Sequence, residues 1–396
     1  EFRLQEREMM TRDSRVNFES RKNTTIKPPS SEGHVFLTGG TGFFGPFLIK
    51  SLLEQQDKDI YVLVRASNKT NGFDRLKEAF NTIQISEELL EKFNRRVKVI
   101  PGNLEKFKLG ISDFDWRFLE EHVHTIYHNG ALVNYLLDYE TMRTANVDGT
   151  LEVLKLACSC RIKILNYIST TFIFGWSTKD VLFESDNNQE MKLLDFGYSQ
   201  SKWVSEQVVK QSMESGMPVR IFRPALISPS IEGDGYNFDI AIRLLAFMVN
   251  HGIGTTAKNQ VSFTPADSAA NNIVAISGIS ESINHVFHVT RDEFSSMEDV
   301  TNILSRLSEK NFNHFPLKEF VPEVVSRCKK DDLLFPLLNF LVRSVNNINA
   351  MEFKRYDNSN YRKFRDQSKY GIPDYSLDEV VNGIYRFLIN KNIIKK

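Results

Sequence analysis

A glycine cluster leaves this chain few folds to choose from. Gly39-Gly40-Thr41-Gly42-Phe43-Phe44-Gly45 lies between a short apolar run, Val35-Phe36-Leu37-Thr38, and a segment from Phe47 to Glu54 with helical apolar spacing. Gly39, Gly42 and Gly45 fall at Gly-x-x-Gly-x-x-Gly spacing. The first glycine permits a tight turn, the second lets backbone approach a pyrophosphate, and the third lets helix and strand pack closely. The helix that follows points free N–H groups and the positive end of its dipole at the same place. Strand, glycine turn and helix in this order predict a dinucleotide-binding unit.

The apolar pattern extends that unit. Further short runs are Ile60 to Val64, Val97 to Ile100, Thr125 to His128, Ile162 to Ile168 and Val219 to Phe222. Helical patterns separate most of them, at Glu87 to Asn94, Tyr139 to Ala157 and Tyr198 to Met213. Apolar strands alternating with helices predict a parallel sheet covered on both faces, a doubly wound α/β fold. The rhythm breaks after Ser228. Residues 34–228 plus about 261–290 read as the nucleotide-binding domain. Residues about 229–260, with one helix from Phe238 to Val249, plus 291–396 read as a smaller, mostly helical substrate lobe. Residues 1–33, rich in Glu, Arg, Asn and Ser, read as a disordered linker that cannot bury enough apolar surface to offset ordering.

Composition excludes several classes. The chain has 396 residues, enough for one large or two medium domains. Fifty Lys plus Arg balance fifty Asp plus Glu, leaving no basic excess for nucleic acid or a polybasic membrane contact. The three cysteines cannot build a disulfide framework, and Cys158-Ser159-Cys160 has no metal-ligand partners nearby, so reduced thiols, no metal site and a cytoplasmic location are expected. The longest strongly apolar stretch, Leu333 to Val342, contains Pro336 and Asn339 and falls short of the ~20 residues a bilayer span needs. No apolar leader segment is visible near Glu1.

The end of the second strand bears on cofactor choice. An NAD site places a carboxylate about 20 residues past the glycines. Arg65 stands there instead, and a guanidinium can pair with a 2′-phosphate. The expectation is NADPH, with Arg65 as the clamp and Arg75 as a possible second one. Tyr198 and Lys202, four apart, share one helix face. An ammonium beside the phenol should lower its pKa so that it can exchange a proton with a carbonyl. Tyr-x-x-x-Lys alone is equally an ordinary helix start. Here Ser169-Thr170 closes the fifth strand upstream and can place a hydroxyl in the ligand crevice.

With these residues the sequence resembles the extended short-chain dehydrogenase/reductase superfamily, and more closely the thioester reductase domains of nonribosomal peptide and polyketide synthases, aminoadipate reductases and carboxylic acid reductases. The matching pieces include the glycine turn, Val62 to Arg65, His128-Asn129-Gly130-Ala131, Asn146 to Thr150, Tyr167 to Thr170, Gly197 to Glu206 and Arg223-Pro224. The resemblance covers residues 34 to 290 well and thins beyond. It implies a catalytic set of Thr170, Tyr198 and Lys202. It implies a pyrophosphate loop of Gly39, Thr41, Gly42, Phe43 and Gly45, with Arg65 and Arg75 toward the 2′-phosphate. It also implies cofactor-side positions at Asn103, Leu104, Asn129, Gly130, Ala131, Asn146, Arg223 and Pro224.

Two residues depart from the family pattern. Asn103 stands where an aspartate usually faces the adenine, and Ala225 stands where glycine is usual after Arg223-Pro224. His128 reads as a packed strand-end residue and Asp267 as a structural hydrogen-bonding one. Asn146 could orient a proton relay or serve inside its helix. Leu333 to Val342 reads as a buried helix that could instead grip an acyl chain or a carrier domain.

The resemblance implies an NADPH-dependent reductase that releases an acyl thioester, held on a phosphopantetheinyl acyl carrier protein or on CoA, as an aldehyde, with further reduction to the alcohol left open. It would be monomeric as a domain of a longer chain. Rival readings are a fatty acyl-CoA reductase, an NAD-retaining sugar-nucleotide epimerase or dehydratase, and a non-catalytic NADP-binding sensor.

Overall fold

The computed structural model describes residues 2–16 and 33–394. Seven parallel strands form one sheet: β1 (His34–Thr38), β2 (Ile60–Val64), β3 (Val97–Pro101), β4 (Val123–His128), β5 (Ile164–Ile168), β6 (Val219–Pro224) and β7 (Val286–Val289). Their order is β3-β2-β1-β4-β5-β6-β7, the doubly wound α/β arrangement that the alternating pattern predicts. Successive residues of β1 go to opposite faces. Val35 and Leu37 join one apolar cluster and Phe36 joins the other, which is why the strand is apolar throughout.

Helices α1 (Phe2–Asp13), α2 (Gly45–Gln55), α3 (Lys69–Phe80), α4 (Glu87–Arg96), α5 (Asp113–His122), α6 (Tyr139–Arg143), α7 (Gly149–Cys158) and α8 (Gly197–Glu214) accompany the first six strands. The helix expected over Tyr139 to Ala157 is not uniform. Residues Thr144–Asp148 form a π-helical turn between α6 and α7, and it carries Asn146.

Beyond β6 come α9 (Ile240–His251), α10 (Ala266–Ser277), α11 (Met297–Leu307), α12 (Leu317–Arg327), α13 (Leu338–Ala350), α14 (Ser359–Gln367) and α15 (Leu377–Asn390). A separate apolar cluster joins α9, α11, α12, α13 and α15 through residues such as Leu245, Leu304, Val324, Leu341 and Ile384. Helix α14 does not belong there, contrary to the expected lobe boundary. Its Tyr361 and Phe364 pack into the sheet-side cluster against α10 and β7. The spacing of its aromatics predicts a helix but cannot say which core receives it.

Residues 2–16 also depart from the linker expectation. Met10 is fully buried against Tyr139, Val147, Trp203 and Val204. Burial of one such side chain contributes about 1.5–3 kcal/mol, so α1 docks although its average composition is polar. The remainder of the expected linker, 17–32, lies outside the described residues.

The run from Leu333 to Val342 is likewise not a buried helix. Leu334, Phe340 and Leu341 are buried, while Leu333, Phe335 and Val342 are exposed, and Pro336 sits in a 3-10 turn before α13. Asp267 has the structural bonding expected of it, accepting a hydrogen bond from Tyr375 Oη at 3.1 Å.

Candidate active site

Strands β1 and β4 are neighbours, yet the chain leaves them toward opposite edges of the sheet. A crevice opens at such a switch point, outside the carboxyl ends of the strands. The glycine turn follows β1 there. Gly39 has φ +75°, and a Cβ on it would lie 2.7 Å from the Gly130 amide nitrogen. A Cβ on Gly45 would lie 2.3 Å from the Gly39 carbonyl oxygen. The first and third glycines therefore let the turn close upon itself and upon the end of β4. Asn129 joins them, its Nδ2 donating to the Gly39 carbonyl at 3.1 Å.

The crevice encloses about 380 Å³. Past β1, toward β2 and β3, its wall includes Thr41, Gly42, Phe43, Arg65, Arg75, Asn103 and Leu104. Arg65 and Arg75 are both exposed, and Arg75 Nη1 donates to the Arg65 carbonyl at 2.7 Å. Asn103 Oδ1 accepts from the Glu105 amide at 2.9 Å, so that side chain already shapes its own turn. Asn129, Gly130 and Ala131 line the middle. Toward β5 and β6 come Thr170, Tyr198, Lys202 and Pro224. This set could hold a dinucleotide: a Cβ-free cradle at the helix start, two guanidinium groups at one end, and hydroxyl groups at the other.

Three predicted positions do not line the crevice. Gly45 acts beneath the turn, as its close approach shows. Asn146 is buried behind the wall, where its Oδ1 accepts from the Leu132 amide at 2.7 Å and its Nδ2 donates to Ser201 Oγ at 2.9 Å. Arg223 is a clear correction. Its guanidinium points away into a fully buried, two-pronged pair with Glu206, at 2.8 and 2.9 Å, beside the Phe174 ring. A guanidinium without solvent needs a carboxylate partner, and Glu206 on α8 supplies it. That charge holds Glu206 at about 2 despite burial, which alone would raise it.

Thr170 and Tyr198 both line the β5 end of the crevice. The electrostatics overturn one expectation. Burial pushes the Tyr198 phenol up to about 12, with the Thr170 side chain opposing the rise and Asp239 adding to it. Lys202 does not lower it. Burial holds Lys202 itself down at about 7, against the pull of Glu206. Its Nζ donates to the Ile168 carbonyl at 2.8 Å and lies 4.7 Å from the Tyr167 ring centroid. Spacing alone shows that the two side chains share a helix face; it does not show that desolvation outweighs their mutual attraction.

His128 keeps to the structural role expected of it. It is buried, bonded to Thr38 and Thr150 at 2.7 and 2.9 Å, and burial keeps it neutral at about 3.

Several residues at or beside the crevice carry no local sequence signal. Tyr135 lies 6.0 Å from Tyr198 between ring centroids, 5.8 Å from Phe196 and 5.4 Å from Phe340. Phe172 closes on Tyr198 at 6.2 Å. Phe340 arrives on α13, so the second lobe supplies part of this aromatic wall. Asp239 lines the same end and caps α9, its Oδ1 accepting from the Ile242 amide at 3.0 Å. An Asp just before an apolar helix signals a cap; nothing local signals that it also faces Tyr198.

Residues 37–273 match the family model NAD_binding_4, described as Male sterility protein. The chain belongs to this family. Within its wider circle, it is 33% identical over 288 residues to a linear gramicidin synthase polypeptide of Brevibacillus parabrevis, covering 72% of this chain and 6% of that protein. It is 33% identical over 274 residues to L-2-aminoadipate reductase of Saccharomyces cerevisiae, covering 64% of this chain and 20% of that one. The terminal R domain from the myxalamid PKS-NRPS biosynthetic pathway superposes with a TM-score of 0.89 at 28% identity, over 98% of both chains. The chain spans about a third or less of the length of curated relatives such as the gramicidin synthase and the aminoadipate reductase.

Proposed function

We propose that this chain is an NADPH-dependent oxidoreductase that reduces an acyl thioester, carried on phosphopantetheine or on CoA, and releases it as an aldehyde. The observation that carries the reading is convergence: Thr170, Tyr198 and Lys202 open onto the same crevice as the glycine turn and Arg65. The names of the relatives, a gramicidin synthase and an aminoadipate reductase, support a thioester or carboxylate reductase. The likeness to a terminal R domain supports a place beside a carrier domain in a longer chain.

Gly39, Thr41, Gly42 and Phe43 would cradle the pyrophosphate, and Arg65, helped by Arg75, would pair with the 2′-phosphate. NADPH supplies the hydride when bound. Reduction of the thioester carbonyl gathers negative charge on its oxygen, and the hydroxyls of Thr170 and Tyr198 hold that oxygen. A phenol kept near 12 remains protonated at neutral pH and can give its proton there. Lys202, fastened to the end of β5, holds the ribose side and offsets the charge left on Tyr198. The hemithioacetal then loses its C–S bond, releasing thiol and aldehyde.

The test is consumption of NADPH by the chain with acyl-phosphopantetheine thioesters of several lengths, with the aldehyde trapped. Tyr198→Phe should lower kcat by about 10²–10⁴-fold while NADPH still binds. Absence of consumption with every acyl length overturns the reading.

A further inference from the structure

Helix α1 reaches the active-site frame through one carboxylate. Asp13 is almost fully shielded, its side chain 6% exposed, and all its close polar partners but one lie on α6. Tyr139 Oη donates to Asp13 Oδ2 at 2.8 Å. Arg143 donates twice, from Nε to Oδ2 at 2.7 Å and from Nη2 to Oδ1 at 2.9 Å. The remaining partner is its neighbour Arg12, at 3.2 Å. Burial alone would raise this carboxyl, but the bonds from Arg143 and Tyr139 hold it below the usual range.

Arg143 is the last residue before the π-helical turn. That turn carries Asn146, whose amide grips the crevice wall twice, accepting from the Leu132 amide at 2.7 Å and donating to the Leu132 carbonyl at 3.0 Å. The same amide donates to Ser201 Oγ, and Ser205 Oγ donates to the Asn146 carbonyl at 2.6 Å. Ser201 stands between Tyr198 and Lys202 on α8. Leu132 opens the segment that brings Tyr135 against Tyr198. A continuous set of bonds therefore runs from Asp13 to both sides of the substrate end of the crevice. Helix α1 and the residues just after it also brace α8 directly: Gln200 Nε2 donates to Glu6 Oε2 at 3.1 Å, and the Val16 amide donates to Gln211 Oε1 at 3.0 Å.

We infer that Asp13 is a positioning residue for the active site: by clamping Tyr139 and Arg143 it holds the π-helical turn in the register that lets Asn146 tie the Leu132 wall to helix α8. A π-helical turn has an ordinary α-helical alternative, which would rotate Asn146 away from Leu132 and Ser201. The Asp13 clamp sits at the start of that turn and favours one register over the other. The inference rests on the reading of Tyr198 and Lys202 as the reacting pair, but its primary measurement does not need turnover.

That measurement is amide hydrogen exchange on the full chain, comparing wild type with Asp13→Ala, Asp13→Asn and Asp13→Glu. Asp13→Ala should speed exchange at the Leu132 amide by about tenfold or more, because its acceptor on Asn146 is released. Asp13→Asn keeps the size of the side chain and an acceptor for Tyr139 while removing the charge that holds Arg143. It should fall between, and it keeps the test open if Asp13→Ala does not fold. Asp13→Glu should restore part of the protection. In turnover assays the same order should appear in kcat, with a loss of about tenfold for Asp13→Ala, while KM for NADPH moves little.

Arg143→Ala should cost as much as Asp13→Ala, and the double variant no more than either alone, since the pair acts as one unit. If α1 frays in Asp13→Ala and Asp13→Asn while Leu132 stays protected, the inference is wrong and Asp13 merely anchors a helix. If wild type consumes no NADPH at all, the proposed function fails, and the exchange data still decide this point.

Discussion

Lys202 is fastened to the end of the fifth strand by the Ile168 carbonyl, 2.8 Å from its Nζ. That bond aims the amine but does little to offset its burial, and Lys202 falls to about 7. The sign of the consequence is definite. The amine is charged below about 7 and neutral above it. The ammonium is the form that offsets charge left on Tyr198, so kcat should decline as pH rises through about 7. The stability effect has the opposite slope. The unfolded chain binds this proton up to about 10.4, so from there down to about 7 Lys202 withdraws stability as pH falls. Lys202→Arg, always charged, should flatten the decline in kcat at lower overall activity. A wild-type kcat that stays level from about pH 6 to pH 9 would remove Lys202 from the mechanism.

Arg65 offers a test of cofactor choice that leaves the reacting end alone. It lies exposed on the crevice wall, and its carbonyl receives Arg75 Nη1. Arg65→Asp should lower the ratio of kcat/KM for NADPH over NADH by at least about tenfold, since a carboxylate repels a 2′-phosphate and suits a 2′-hydroxyl. Arg75→Ala should change the ratio less. An unchanged ratio in Arg65→Asp would contradict the 2′-phosphate assignment.

The contrast between what the sequence predicts and what it hides follows the range of the interactions involved. Strands such as Val35-Phe36-Leu37 are apolar because both faces of the sheet are covered, and that is readable in a few residues. The glycine turn is readable for the same reason, as its constraints are local backbone ones. Asp239, about forty residues beyond Tyr198, lines the crevice, and Phe340, more than a hundred beyond, packs against Tyr135 of its wall; only the packing of the second lobe brings them there. Arg223 follows the same logic in reverse. Its place at a strand end suggests a crevice residue, but side chains alternate along a strand, and Glu206 on α8 decides which way the charge goes. Helix α1 is hidden because average polarity says nothing about one methionine with a buried place to go.

Breaking the Arg223–Glu206 pair should unsettle the fold without touching the crevice wall. Both side chains are fully buried. Arg223→Ala leaves Glu206 with Lys210, 3.6 Å away, as its remaining cationic partner. Loss of one member of a buried pair costs about 3–5 kcal/mol. Chemical denaturation should show that loss as a lower midpoint, while NADPH affinity of the folded fraction stays near wild type. A large fall in affinity at unchanged stability would mean that Arg223 reaches the cofactor after all.

The three glycines of the turn should separate into two behaviours. Gly39 needs its positive φ, and its Cβ would meet backbone at 2.7 Å. The Gly45 Cβ would meet backbone at 2.3 Å. In neither place can a flexible side chain give way, so Gly39→Ala and Gly45→Ala should lower both the thermal midpoint and NADPH affinity. Around Gly42 the nearest atom to a Cβ is the Gly39 carbonyl oxygen at 3.6 Å, an ordinary contact, and its φ is not in the left-handed region. Gly42→Ala should therefore melt close to wild type. Its methyl group, however, would stand on the crevice wall where backbone must approach the pyrophosphate. The expected outcome is an NADPH dissociation constant raised by about tenfold or more with the midpoint preserved. Fluorescence titration beside thermal unfolding measures both. Undiminished binding in Gly42→Ala would move the pyrophosphate away from this turn.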